Sequence, residues 1–378
     1  MKILFISEDH SSSNFGVTTM LSQLADELVS RYDDTEVVIA ATGKTAVPQH
    51  ERVHIELIPP VTWAYAWRWS PNLAKRIENL ARQHHVDLIH IHGVWSAGPW
   101  IGFQLARQMN IPVVVSVHGM WEKWFWEKDH PLRILKKRLY FNWILQRAIS
   151  QDVTIHTLNP AEAHDISRLL PHNKIAVIPN AVHIEDHQPI SIVPDKVILF
   201  LGRLHPKKGV ELLIRAFARA KLEPSWQLAI AGPWEVPNYV RMLQAEVAKN
   251  GLHNRVKFLG PVFGGTKQEL ICKAWVQVLP TFSEGQAMIN LETATYNVPS
   301  ITTFQAGLYD WQEGGGLLIQ PDVEELADKL GQVSRWSLEE RNRRGARLRQ
   351  WVRRNYSFDA TMPKWEKLYS TITARDMH

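Results

Sequence analysis

Cys272 is the single cysteine in 378 residues, so no disulfide can form within the chain and a cytosolic setting is the simple expectation. Nowhere does an apolar run approach the roughly 18 residues a membrane span needs. The opening MKILFISEDH has one lysine and a four-residue apolar run. That is too short for a secretory signal core and reads as a first buried strand. No G-x-G-x-x-G follows this strand, which counts against a dinucleotide enzyme. Gly43-Lys44-Thr45 ends like a P-loop, but Val38 stands where the first glycine belongs, so the match fails. No tight Asp-x-Asp pair lies on a loop of the second half; Asp33-Asp34 and Glu339-Glu340 read as surface. The 17 histidines are scattered (His84-His85, His90 and His92, His164) and predict no metal centre. Charge is nearly balanced, with 43 basic and 38 acidic residues and a net +5. That surplus fits a solvated surface, an anionic substrate or an anionic membrane face, and no nucleic-acid partner is expected.

What the chain does have is apolar content, 45%, and a length that suits two domains. Short β-branched runs recur in the first half: KILFISE (2–8), EVVIAAT (36–42), HIELIP (54–59), DLIHIHG (87–93), PVVVSVHG (112–119), TIHTLN (154–159) and IAVIPN (175–180). Runs apolar on both faces suit buried parallel strands. Between the first two, Met20, Leu21, Leu24, Ala25, Leu28 and Val29 fall on one helical face. The second half repeats the alternation with KVILFLG (196–202), WQLAIAG (226–232), VKFLG (256–260), VQVLPT (276–281), SITT (300–303) and LLIQP (317–321). The polar, proline-bearing stretch 183–195 is the best linker. Strand–helix alternation predicts an α/β protein of two doubly wound parallel sheets in tandem, with ligands at the carboxyl ends of the strands.

Two motifs carry chemistry. In FLGRLHPKKG a strand ends at Gly202, Arg203, Lys207 and Lys208 follow, and Gly209 opens a helix. Cations beside a helix amino terminus make an anion site; a solvated basic loop fits as well. In TFSEGQAMINLETATYNVP, Glu284 lies in a loop and Glu292 about one turn inside the helix that begins near Met288. Free amides from Ala287 to Leu291 can take a diphosphate. A carboxylate repels phosphate, so the two glutamates suit uncharged hydroxyls, such as those of a nucleotide sugar. By spacing alone, a capping Glu284 and an exposed Glu292 fit equally.

An R-x4-K loop followed about 80 residues later by E-x7-E, with the AIAG strand and VKFLGPV between, resembles the GT-B, family-4 type of retaining glycosyltransferase. The resemblance covers nearly the whole chain, more loosely in the first half. It implies two Rossmann-like domains facing across a deep cleft: an acceptor domain at 1–185, rejoined by a returning helix at about 357–378, and a donor domain at 186–356. It implies that Arg203 and Lys208 hold the donor diphosphate, Glu284 the donor sugar and Glu292 the ribose. Gly202 and the amides of Ala287, Met288, Ile289, Asn290 and Leu291 would complete the donor site, with Pro261, Val262 and Phe263 bracketing the base. Gly16, in the loop after the first strand, would let the backbone approach the diphosphate, and His118 would address the reacting sugar. Glu284, His118, Arg203 and Lys208 are the implied catalytic group. The donor is a UDP- or GDP-sugar, with UDP-glucose favoured by frequency in the family. No metal or other cofactor is implied.

The sequence departs from the family at Phe15-Gly16, where two glycines are usual, at Gln286-Ala287, where Phe-Gly is common, and at Ala181 and His183. The second departure puts the sugar specificity in doubt.

The tryptophans, 16 in all, cluster in the first half: Trp63, Trp67, Trp69, Trp95, Trp100, Trp121, Trp124 and Trp126. Aromatic faces stack on sugars, so a saccharide or lipid-linked saccharide acceptor is expected there, with Phe15, Trp95, Trp121 and Trp124 as its contacts. PLRILKKRLYFNWILQRA (131–148) is a basic amphipathic helix, able to lie on an anionic membrane or to be a core helix with a solvated basic face. The expectation is a hexosyltransferase of surface-polysaccharide assembly, cytoplasmic or peripheral at the inner membrane face. Two rivals remain. A retaining glycosidase would use Glu284 and Glu292 as acid and nucleophile about 5–5.5 Å apart; a GT-B protein that binds nucleotide or glycan without turnover would keep the motifs.

Overall fold

The computed structural model describes residues 1–8, 15–43, 50–61, 67–121, 131–185 and 193–374. Trp63, Trp124 and Trp126 lie outside them, as does the side chain of Phe15. The chain forms two compact units, Met1–Ala181 with Thr361–His378, and Val182–Ala360. The division falls at Ala181/Val182 rather than after 185, and the return begins at Thr361 rather than 357. Residues 182–185 stay with the second unit because Val182 donates its N–H to the Tyr356 carbonyl at 2.9 Å and His183 packs on Phe358.

The first unit holds a seven-stranded parallel sheet of order β3-β2-β1-β4-β5-β6-β7. Its strands are β1 (Lys2–Ser7), β2 (Glu36–Thr42), β3 (Val53–Ile58), β4 (Leu88–His92), β5 (Val113–Ser116), β6 (Thr154–Thr157) and β7 (Lys174–Val177). Around them lie helices α1 (Phe15–Arg31), α2 (Leu73–Gln83), α3 (Ala97–Met109), α4 (Pro131–Tyr140) and α5 (Pro160–Leu169). The second unit holds a six-stranded parallel sheet, β10-β9-β8-β11-β12-β13, from β8 (Val197–Leu201), β9 (Gln227–Ala231), β10 (Val256–Gly260), β11 (Val276–Leu279), β12 (Ser300–Thr303) and β13 (Leu317–Ile319). Its helices are α6 (Val210–Arg219), α7 (Pro237–Lys249), α8 (Gly264–Lys273), α9 (Met288–Thr295), α10 (Val323–Ser334) and α11 (Leu338–Tyr356); α12 (Phe358–Thr373) carries the chain into the first unit.

Central strands such as β1, β4, β8 and β11 are buried on both faces, which is why they read as unbroken apolar runs. Both sheets start in the middle, run to one edge, then return to the centre and run to the other. Each therefore reverses direction once, between β1 and β4 and between β8 and β11. Crevices for ligands open outside the carboxyl ends of strands at such reversal points. Glu8 and Gly93 stand at the first; Gly202 and Pro280 stand at the second. No helix among the described residues is long and apolar enough to cross a membrane.

Candidate active site

At the reversal point of the second unit two loops are zipped together. After β8 comes the basic loop, with a 3-10 turn at Pro206–Lys208 and Gly209 at its end. After β11 comes the acidic loop to α9. The Phe282 N–H donates to the Lys207 carbonyl at 2.8 Å, and the Thr281 hydroxyl donates to the same oxygen at 3.0 Å. Gly209 makes the approach possible. Its φ of +70° is left-handed, and a Cβ there would stand 2.0 Å from the Pro280 carbonyl oxygen. Only glycine fits both conditions.

The zipper brings Lys208 Nζ onto Glu284 Oε1, with both side chains largely buried. Burial by itself would raise the Glu284 pKa, but Lys208, Lys207 and Arg203 outweigh it and hold the carboxyl below its ordinary value. The Glu284 N–H donates to the Gln305 carbonyl at 2.8 Å, which fixes its backbone. Glu284 caps no helix: α9 has Ala287 at its N-cap and no side-chain cap. Of the expected donor amides, those of Ala287 and Asn290 are engaged, with the carbonyls of Ala306 at 2.9 Å and Ala287 at 3.1 Å. The Asn290 side chain is turned inward to Gln277 and Ser300, and Leu291 is core. Met288 and Ile289 thus supply the amides at the uncapped end.

Glu292, one turn inside α9, is held by Lys267 of α8 at 2.6 Å. Arg203 is exposed and forks onto Glu235 at 2.9 and 3.0 Å. A surface pair of this kind is worth about 0–1 kcal/mol, so an incoming anion exchanges with Glu235 at little cost. Val262 packs on the core formed by Leu199 and Leu201, while Phe263 beside it is 59% exposed. Glu235 and Lys267 were not foreseen; neither lies in a motif, and pairing across 25–32 positions leaves no local pattern.

The carboxyl ends of the first sheet are built differently. Two of the histidines that read as scattered, His90 and His92, form one layer with His118 and His156. His90 bonds Tyr369 and Ser116, each at 2.7 Å. Ser116 bonds His156 at 2.6 Å, and His156 reaches the Ile178 carbonyl at 2.7 Å. His92 Nδ1 lies 3.1 Å from His118 Nε2, with the rings stacked. Burial drives all four imidazoles toward the neutral form, His118 to about 3 and His156 to about 4, with neighbouring histidines adding to the effect at His90, His92 and His118. His92 Nε2 is buried without a hydrogen-bond partner. A bare ring nitrogen is tolerated there more readily than an orphaned N–H. The proton therefore belongs on Nδ1 and is donated to His118 Nε2, which leaves Nδ1–H as the donor His118 offers.

His118 takes a left-handed φ of +50°, a conformation that costs a non-glycine residue energy and persists only when its surroundings enforce it. Glu162 at the start of α5 supplies that enforcement. Its carboxylate accepts the N–H of Gly119 at 2.8 Å and of Leu158 at 2.7 Å. Burial raises its pKa to about 7 against those two bonds.

Other expectations for this unit change. Gly16 lies in the first turn of α1 rather than in a loop, exposed, with open space where a Cβ would stand. Trp121 is a core residue, packed edge-on against Phe141 at 5.5 Å, so it offers no face to a sugar. Trp95 is half-buried; its backbone N–H donates to Glu8 and its indole to the Met120 carbonyl. Its ring neighbours Tyr140, which Trp67 meets at 4.9 Å. Trp67, Trp95, Tyr140 and Glu8 are the aromatic and acidic group this end provides, and Glu8 carried no signal beyond its place after β1. Among the described residues, Glu36, His54 and His84 form the one group whose ligand atoms lie near enough for a metal ion. They stand where β2 and β3 begin and α2 ends, away from the ligand-bearing strand ends.

Two 3-2-1-4-5-6-type parallel sheets, one with a cationic loop and an uncapped helix at its reversal point, define a two-domain α/β protein. Residues 16–186 match the family model "Glycosyltransferase Family 4", and residues 195–335 match "Glycosyl transferases group 1". The chain belongs to the GT-B glycosyltransferases of the family-4 type. An uncharacterized glycosyltransferase of Methanocaldococcus jannaschii is 24% identical, covering 81% of each chain. The sucrose-phosphate synthase of Thermosynechococcus elongatus superimposes with a TM-score of 0.80 at 17% identity, over 99% of this chain and 100% of that one. HepE of Anabaena, solved with UDP and glucose, gives 0.75 at 19% identity, over 98% and 100%.

Proposed function

We propose that the protein is a retaining hexosyltransferase that takes glucose from UDP-glucose, without a metal, and passes it to a saccharide or lipid-linked saccharide of a cell-surface polysaccharide, on the cytoplasmic side. The observation that carries the donor reading is the buried Lys208–Glu284 pair beside the uncapped end of α9. An ammonium has three donors, so Lys208 can hold Glu284 and a phosphate oxygen together. Arg203 and the Met288 and Ile289 amides take the rest of the diphosphate. Glu284, kept ionised, accepts hydrogen bonds from sugar hydroxyls, and Glu292 exchanges Lys267 for the ribose. The His118 Nδ1–H donates to the transferred sugar. UDP is favoured over GDP because the likeness to HepE, solved with UDP and glucose, points that way.

In the reaction an acceptor hydroxyl oxygen bonds to the sugar anomeric carbon as the bond from that carbon to the diphosphate breaks. Both events occur on one face, so configuration is retained. The acceptor proton passes to the departing phosphate oxygen, whose charge Lys208, Arg203 and the α9 amides stabilise. A glycosidase reading sits poorly with these carboxylates: a general acid needs a raised pKa, and Glu284 is held low.

The test is calorimetric titration with UDP, GDP and ADP on the protein and on Lys208→Ala and Glu292→Ala. UDP binding that both substitutions abolish is the expected result; no nucleotide binding by the unaltered protein overturns the reading. Product from UDP-glucose, read by NMR for its anomeric configuration with and without EDTA, tests retention and metal independence.

A further inference from the structure

Helix α4, a π-turn at Phe141–Leu145 and a last turn at Gln146–Ala148 form one continuous helical rod. Its inner side is spoken for. Phe141, Leu145 and Ala148 are buried in the core of the first unit, and Tyr140 closes on Trp67 and Trp95. Its outer side ought then to be polar, as for a core helix with a solvated basic face. It is not. Leu132, Leu135, Leu139 and Trp143 are exposed by 64, 54, 49 and 66%. Their spacing of three, four and four puts them on one stripe. Arg133, Lys136 and Arg138, all exposed, flank the stripe. Residues 131–148 contain five basic side chains and no acidic one.

We propose that this outer face docks on a lipid bilayer containing anionic phospholipid, with the leucines and Trp143 entering the headgroup boundary and the cations meeting lipid phosphates. Two arguments select that occupant. A helix with leucines and a tryptophan along one stripe, flanked by cations, is the pattern that lies in a membrane interface plane, where indole rings settle. The charge also argues against a second copy of this chain: a two-fold contact through the stripe would set its three flanking cations against the same three, a like-charge pairing with no acidic residue in the segment to relieve it. An anionic surface turns the same charges to advantage. The docking does not depend on the transferase reading. It deepens that reading in one respect: the inner side of the rod, through Tyr140, meets Trp95, one of the residues expected at the acceptor, so a lipid-held acceptor would be delivered to that end of the first unit.

The test is co-sedimentation of the whole protein with phosphatidylcholine vesicles and with vesicles of phosphatidylcholine and phosphatidylglycerol in equal parts. Two variants are compared, Leu135→Glu with Leu139→Glu, and Lys136→Glu with Arg138→Glu. The expected result is binding to the anionic vesicles that added salt weakens, with each double variant at least roughly tenfold weaker. UDP titration of both variants should match the unaltered protein, which reports a sound fold and keeps this test separate from the donor site. Protein that stays in the supernatant with anionic vesicles overturns the proposal. So do variants that bind as well as the original. A dimer in sedimentation equilibrium that Leu135→Glu with Leu139→Glu dissolves would assign the face to a second copy instead.

Discussion

The two units share a strand order and oppose each other in what stands at the strand ends. In the first, Tyr369, His90, Ser116 and His156 form one hydrogen-bonded chain and His92 with His118 a second, their rings packed together and all four imidazoles held neutral by burial. In the second, the equivalent ends carry ions in pairs: Lys208 with Glu284, Lys267 with Glu292, Arg203 with Glu235. One scaffold thus serves two chemistries, because function resides in the residues grafted on its loops rather than in the sheet. A neutral layer suits hydroxyls and a reacting carbon, where a fixed charge would be costly. Paired ions suit a diphosphate, which can enter by exchanging partners.

Acid should split the units most widely. A histidine neutral when folded and free to protonate when unfolded makes the unfolded state the stronger proton binder. Stability is then intact above about pH 6.5 and falls as pH drops toward the folded value, by about 1.4 kcal/mol per unit and residue. For His156, with a folded value of about 4, that is about 2 kcal/mol by pH 5; His90, His92 and His118 add to it, while Glu162, raised to about 7, gains about 2 kcal/mol over the same drop and offsets one of them. Melting at pH 7.5 and pH 5, with exchange mass spectrometry to show which part opens, should find the first unit failing first; equal losses would erase the contrast. The ion pair comes next. Lys208→Ala leaves Glu284 buried and alone, and should cost the second unit about 3 kcal/mol, with part of it regained when Glu284→Gln is added. Gly209→Ala should cost roughly 2 kcal/mol and lower UDP affinity, because the added carbon pushes the basic loop off Pro280. Smallest is Arg203→Ala. It should leave the melting temperature nearly unchanged and weaken UDP roughly tenfold, consistent with an exposed cation that meets its ligand in charge-assisted bonds. An unchanged UDP titration would remove Arg203 from the site.

The sheets were legible because buried parallel strands are unbroken apolar runs, and the basic and acidic loops after β8 and β11 because glycines, cations and carboxylates repeat at family spacing. What sequence hid was assembled across distance. His90 and Tyr369 are 279 positions apart, so no window of sequence shows that they touch. Alternation within LIHIH put His90 and His92 in strand β4 without revealing that β5 and β6 bring Ser116 and His156 beside them. Trp121 looked like a sugar platform because its neighbours are polar, yet Phe141 covers it. Gly16 fits the loop pattern of the family while the backbone already turns there as helix. Phe15 and Trp124 stay as sequence expectations for the acceptor.

Helix α12 has a consequence for how the protein is made. Trp365 and Tyr369 complete the histidine layer, yet they leave the ribosome after the whole of Val182–Ala360. At ~5–20 residues per second, the first unit waits roughly 10–40 s with His90 and His156 uncovered. The unit synthesised first is therefore finished last, and the second unit can fold beforehand without it. Nascent chains stalled before residue 361 should show a closed second unit and an open first one, the reverse of the order in which their residues were joined.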